Sequence, residues 1–170
     1  MGRFTAAVES QAAQPAGAPV TTTFNGYFAA WVAGASANYK LRRVVLGVRG
    51  PAGSTTGQQN TIAVYRQTAR VVGTGFSTIV GQNTDPRGTT SVTTGLDITT
   101  AATAGTTGPS IGANPFARLT FNTQSAWDFP IEGYEEFICD QGVANGWAFV
   151  NIGNALPASH LFTLTVEVEE

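Results

Sequence analysis

Residues 161–169 read Leu-Phe-Thr-Leu-Thr-Val-Glu-Val-Glu, so Phe162, Leu164, Val166 and Val168 alternate without a break with Thr163, Thr165, Glu167 and Glu169. A period of two puts four apolar side chains on one face of an extended chain and four polar ones on the other. That is the pattern of an antiparallel strand with one dry face. Such a strand needs hydrogen-bonded neighbours and apolar cover, and the rest of the chain offers both. Residues 39–49 alternate with Leu41, Arg43 and Val45 on one side and Arg42, Val44, Leu46 and Val48 on the other, drier side. In 61–68, Ile62 and Val64 oppose Ala63 and Tyr65. Shorter strand candidates lie at 22–32, where Asn25-Gly26 offers a hairpin turn, and at 76–80, 91–98, 116–122, 134–139 and 146–152. Asp85-Pro86-Arg87-Gly88 is a turn sequence, and residues 50–57 and 101–114 read as loops.

Composition disfavours the helical alternative. Charged residues are 12% of the chain, with a single lysine, against 24 threonines and 20 glycines. Exposed helix faces are normally built from Lys, Glu and Gln, which lose little rotamer freedom there, whereas Thr, Val, Ile and aromatics suit a pleated surface. Short strands separated by turn signals predict an all-β fold, an antiparallel β-sandwich of jelly-roll type. Its core should hold Val44, Leu46, Val48, Phe162, Leu164, Val166 and Val168.

Two segments are expected: an extended N-terminal arm, residues 1–20, and a sandwich domain, residues 21–170. Between Gln11 and Pro19 the arm has no large apolar residue, and Pro15 and Pro19 hold their predecessors extended. Phe4 and Val8 are its only sizeable apolar anchors, too few to fix twenty residues on their own domain. The arm is therefore expected to cross onto an adjacent subunit as a protein interface made by Arg3, Phe4 and Val8, with Phe4 in an apolar pocket and Arg3 near a partner carboxylate.

Chemistry is sparse. No apolar run is long enough to span a membrane, and the first residues lack the apolar stretch of a secretory signal. Cys139, the only cysteine, forms no intrachain disulfide or zinc site, and a net charge of −2 argues against general nucleic-acid binding. Cys139 and His160 are one residue of each type for a nucleophile–base pair, but they read better as a core residue and a turn residue. Glu132, Glu135, Glu136 and Asp140 read as a solvated acidic face rather than a glycosidase pair or a calcium loop. Catalytic residues, metal sites and cofactors are all expected to be none. Trp31, Trp127, Trp147 and Tyr134 make a glycan-stacking platform the main rival, with Trp127 as the candidate exposed aromatic and Trp147 as core. Charge is segregated along the chain: residues 1–118 hold all nine basic residues and three acids, a balance of +6, and 119–170 hold eight acids and no base. This asymmetry either steers copies together or vanishes as strands from the two parts interleave.

The run Ile62-Ala63-Val64-Tyr65-Arg66-Gln67-Thr68, followed by Gly73-Thr74-Gly75 and a Thr/Ala-rich stretch to Ala104, resembles small structural proteins of tailed bacteriophages. So does the ending Gly153-Asn154-Ala155-Leu156-Pro157-Ala158-Ser159 with the strand from Leu161 to Glu170. The likeness covers roughly residues 40–170. It implies a non-enzymatic β-sandwich that decorates or cements the outside of a phage head, commonly as a homotrimer. The partners it implies are the major capsid protein and sibling copies, with neither nucleic acid nor membrane. Location would be the virion surface after synthesis in the host cytoplasm. A tail or fibre component and a carbohydrate-binding module are the alternatives.

Overall fold

The computed structural model describes residues 2–10, 27–54, 57–70, 76–85, 87–88, 91, 95–99, 110–131 and 137–170. Thirteen strands run through them: β1 (Arg3–Glu9), β2 (Tyr27–Val32), β3 (Tyr39–Arg49), β4 (Gln59–Ala69), β5 (Phe76–Ile79), β6 (Gln82–Asn83), β7 (Gly95–Thr99), β8 (Ser110–Ile111), β9 (Ala117–Asn122), β10 (Trp127–Pro130), β11 (Phe137–Cys139), β12 (Gly146–Asn151) and β13 (Leu161–Glu169). No helix occurs among the described residues. The strands form two antiparallel sheets packed face to face, a β-sandwich. One has the order β10-β3-β13-β1-β6, with β11 also on β3; the other has the order β5-β7-β2-β12-β4-β8, with β9 also on β4.

Pairing is nested. The first strand meets the last, β1 with β13; β2 meets β12, β3 meets β10 and β11, and β4 meets β9. Early and late parts of the chain therefore interleave throughout. Their inward faces make one core: Val44, Leu46, Phe162, Leu164, Val166 and Val168 from the first sheet, packed on Trp31, Ile62, Val64, Trp147 and Phe149 from the second, with Val48 half-buried at its margin. The Tyr39 hydroxyl donates across the sandwich to the Trp31 carbonyl at 2.9 Å, so the two sheets share a buried hydrogen bond as well as apolar contact. A smaller apolar cluster of Ala30, Ala63, Tyr65, Ala148 and Val150 lies on the far face of the second sheet, with Ile111 and Ile152 packed on it.

β3 departs from strict alternation. Its partner register steps from Glu167↔Arg43 to Val168↔Leu41, leaving Arg42 as an extra residue on β3. A bulge shifts the phase by one residue. Leu41 is therefore fully buried alongside Val44 and Leu46, instead of facing outward with Arg43 and Val45, and Arg42 is released to pair with Glu169.

The N-terminal segment also departs from expectation. Residues 3–9 are no arm: β1 sits between β13 and β6 in the first sheet, seven residues in register with β13, and Gly2 and Glu170 exchange two backbone hydrogen bonds beyond its end. Phe4, Ala6 and Val8 enter the chain's own core. Ladder bonds to β13 and β6 satisfy the backbone on both flanks, and the alternation of Phe4, Ala6 and Val8 with Arg3, Thr5, Ala7 and Glu9 puts a third apolar side chain into the core, so the segment's own domain holds it. Residues 11–20 of the expected arm lie outside the described residues.

Candidate functional site

Three connections gather at one end of the sandwich: residues 50–54 and 57–58 after β3, 123–126 after β9 and 152–160 before β13. They enclose an open cleft of about 340 Å³ lined by Val48, Gly50, Pro51, Gly53, Ser54, Thr123, Gln124 and His160.

Two turns of related sequence build it. In Pro51-Ala52-Gly53-Ser54 the Ser54 N–H donates to the Pro51 carbonyl at 3.1 Å, and Gly53 has φ 79°. In Pro157-Ala158-Ser159-His160 the His160 N–H donates to the Pro157 carbonyl at 3.1 Å, and Ser159 has φ 64°. Both close from the fourth residue to the first with positive φ at the third, the geometry of a type II turn. Glycine adopts that conformation freely, but Ser159 is the one non-glycine residue to do so among the described residues.

The fourth residues of the two turns meet. Ser54 Oγ lies 3.0 Å from His160 Nε2, and His160 Nδ1 lies 3.1 Å from the Ala158 carbonyl oxygen. A carbonyl only accepts, so the Nδ1 contact places the imidazole proton on Nδ1 and leaves the Nε2 lone pair facing the Ser54 hydroxyl. The ring is 7% exposed and lies against Gly50, where a methyl group would stand 2.7 Å from Nε2. An asparagine network holds the chain just before the second turn. Asn60 and Asn151 both donate to the Asn154 carbonyl, Asn154 donates to the Gln59 carbonyl, and Gln58 donates to the Ala155 carbonyl. Leu156 is buried behind it.

Cys139 is elsewhere. It pairs with Tyr39 at one end of β3, whereas Leu161, next to His160, pairs with Arg49 at the other. Ten residue steps separate the two ends, roughly 30 Å at the usual strand rise. Cys139 Sγ contacts the Asp140 carbonyl, and burial pushes its thiol up to about 11. It is a core residue, as its sequence context indicates. Residues 132 and 134–136 lie outside the described residues, and Asp140 is exposed.

The expected interface residues separate. Phe4 and Val8 are buried in the chain's own core, so they are not available to a partner; Arg3 is exposed and lies 3.7 Å from Glu167 of the same chain. The segregated charges also meet within the chain. Arg42 binds Glu169 at 2.6 Å, and Arg43 forms a two-pronged pair with Asp128 that holds the Asp128 carboxyl below the ordinary carboxylate range. The interleaved outcome is the one realised at these pairs.

The tryptophans do not form a platform, because Trp31 and Trp147 are fully buried. Trp127 is half-buried and stacked on Phe129 with centroids 5.1 Å apart. From there an aromatic series runs along the open edge of the sandwich: Phe129 to Phe137 at 6.3 Å, Phe137 to Phe116 at 4.3 Å, and Phe116 to Trp147 at 5.1 Å. Phe116 is 54% exposed and Ile138, on the adjoining edge strand, is 43% exposed.

Comparison with protein-family models and with curated protein sequences gives no match.

Proposed function

We propose that this chain is a virion structural protein whose principal task is adhesion: a decoration or cement protein on the outside of a tailed-phage head, bound to the major capsid protein and to sibling copies in a homotrimer. The observation that carries the reading is the aromatic edge. Phe116 stands on Phe137 and Trp147 with half its surface open, beside exposed Ile138 and half-buried Trp127 and Phe129. Interface centres are enriched in aromatics, and Phe116, Trp127 and Phe129 supply them on this edge. Two further features support it. The nested pairing of β1 with β13, β2 with β12, β3 with β10 and β11, and β4 with β9 favours a jelly-roll reading of the sandwich, an architecture frequent in viral shells. The low charge content suits a surface that spends its life against other protein.

In this account the adhesive surface is the edge formed by β9, β10 and β11, not the N-terminal segment. Full-length protein mixed with heads that lack it should co-sediment with them, and Phe116→Asp should weaken that binding about tenfold or more while the variant keeps its circular dichroism. Heads that pellet without the wild-type chain, or that bind Phe116→Asp as tightly as wild type, would refute the proposal.

A further inference from the structure

We propose that Ser54 is an acyl-accepting nucleophile, with His160 as its general base and small activated carboxylic esters as its substrate class. This capacity is independent of the virion reading. The serine hydroxyl has a base at 3.0 Å, and the base has its tautomer set from behind by the Ala158 carbonyl. That is nucleophile, base and orienter in series, the arrangement that activates a serine, with a backbone carbonyl in place of the usual carboxylate. Ser54 itself is exposed at the mouth of the 340 Å³ cleft, while the imidazole is buried and packed against Gly50.

A tether between two loops does not call for this much construction. The His160 turn keeps Ser159 at φ 64°, a conformation that costs a non-glycine residue free energy, and the chain leading into it is held at Asn154 and Ala155 by four side-chain hydrogen bonds from Gln58, Asn60, Asn151 and Asn154. Strain held in place by surrounding structure, next to a paired nucleophile and base in a cleft, is the pattern of a reactive site.

In the step proposed, Ser54 Oγ attacks the ester carbonyl and its proton passes to Nε2. A bond forms between Oγ and the acyl carbon, the bond from that carbon to the leaving oxygen breaks, and the leaving group takes the proton from Nε2. Water then attacks the acyl-serine as Nε2 accepts a proton from it, and the carboxylic acid departs as Ser54 is restored.

The test uses the full chain with p-nitrophenyl acetate, read by intact mass and peptide mapping, and in parallel a fluorophosphonate probe. The expected result is one acyl group per chain on Ser54, absent in Ser54→Ala and formed about a hundredfold more slowly in His160→Gln, since a positioned base is worth that order of rate. The single lysine, Lys40, keeps competing acylation low. Ser54→Cys supplies a second readout: beside His160 its thiol should react with iodoacetamide at neutral pH at least tenfold faster than the same substitution does in the His160→Gln background. Acyl groups on Lys40, tyrosines or the amino terminus with Ser54 unmodified would overturn the proposal. So would equal Ser54 labelling, or equal thiol reactivity, with and without His160.

Discussion

Tyr39 and Cys139 show how much depends on single side chains in a fold with few charges. The Tyr39 hydroxyl is the buried link between β3 and β2, donating to Trp31, and burial raises its pKa well above the ordinary tyrosine range. Tyr39→Phe deletes that bond with little change of shape and should cost about 1–2 kcal/mol in urea unfolding. Beside it, the Cys139 thiol is pushed up to about 11, first by burial. The fold therefore favours the protonated thiol. That contribution is intact below the ordinary thiol range near pH 8.5 and is lost as pH rises toward 11. Thermal stability should fall across that alkaline interval, and Cys139→Ala should flatten the fall. At neutral pH a disulfide reagent should modify Cys139 slowly in the folded chain and fast in denaturant. Rapid modification of folded protein would contradict the buried placement.

Among the elements, β1 is the most consequential. It lies between β13 and β6 with Phe4, Ala6 and Val8 in the core, so Phe4→Ala should destabilise the whole domain by about 3–5 kcal/mol, and removing residues 2–10 should prevent cooperative folding. A folded truncation with an unchanged unfolding midpoint would contradict the strand assignment. The outer face of the same sheet is tied by ion pairs: Arg49 grips Glu9 with two hydrogen bonds, Arg43 does the same to Asp128, and both carboxyls are held below the ordinary range by those bonds. A depressed carboxyl pKa stabilises the fold at neutral pH. The contribution disappears as pH falls through about 4 and below, so the melting temperature should drop on acidification, and less so in Arg43→Gln than in wild type. How far these elements can be read in the sequence depends on whether pattern and chain geometry agree. β13 announces itself because every second residue is apolar, and β9 follows the same rule; β4 instead shows the unbroken apolar run Ile62-Ala63-Val64-Tyr65, since both of its faces are covered. β3 misleads because the bulge at Arg42 changes phase midway, and alternation alone gives no sign of an extra residue. β1 misleads because Ala6 and Ala7 dilute its alternation and the Pro-containing stretch after it draws the eye to composition. The Ser54–His160 pair joins residues 106 apart, a separation no local pattern encodes. The repeated Pro-Ala-x-Ser and Pro-Ala-Ser-His turns were its only signal.

For the whole molecule, nested pairing makes the chain one cooperative unit, because its first strand is held by its last. Internal ion pairing leaves the outer face of one sheet largely self-satisfied, and the aromatic edge around Phe116 and Ile138 is, with Ile79, Val80 and Val143, where the described residues leave large apolar side chains exposed. Adhesion through that edge is the property on which the proposed role depends. The measurement that tests it most directly is cryo-electron microscopy of the intact particle encoded with this chain. The prediction is density for the sandwich on the outside of the head, in groups of three about local symmetry axes, with Phe116 and Ile138 buried against a capsid subunit or a sibling copy. A particle whose head carries no such density, or one in which the edge around Phe116 faces open solvent, would contradict it.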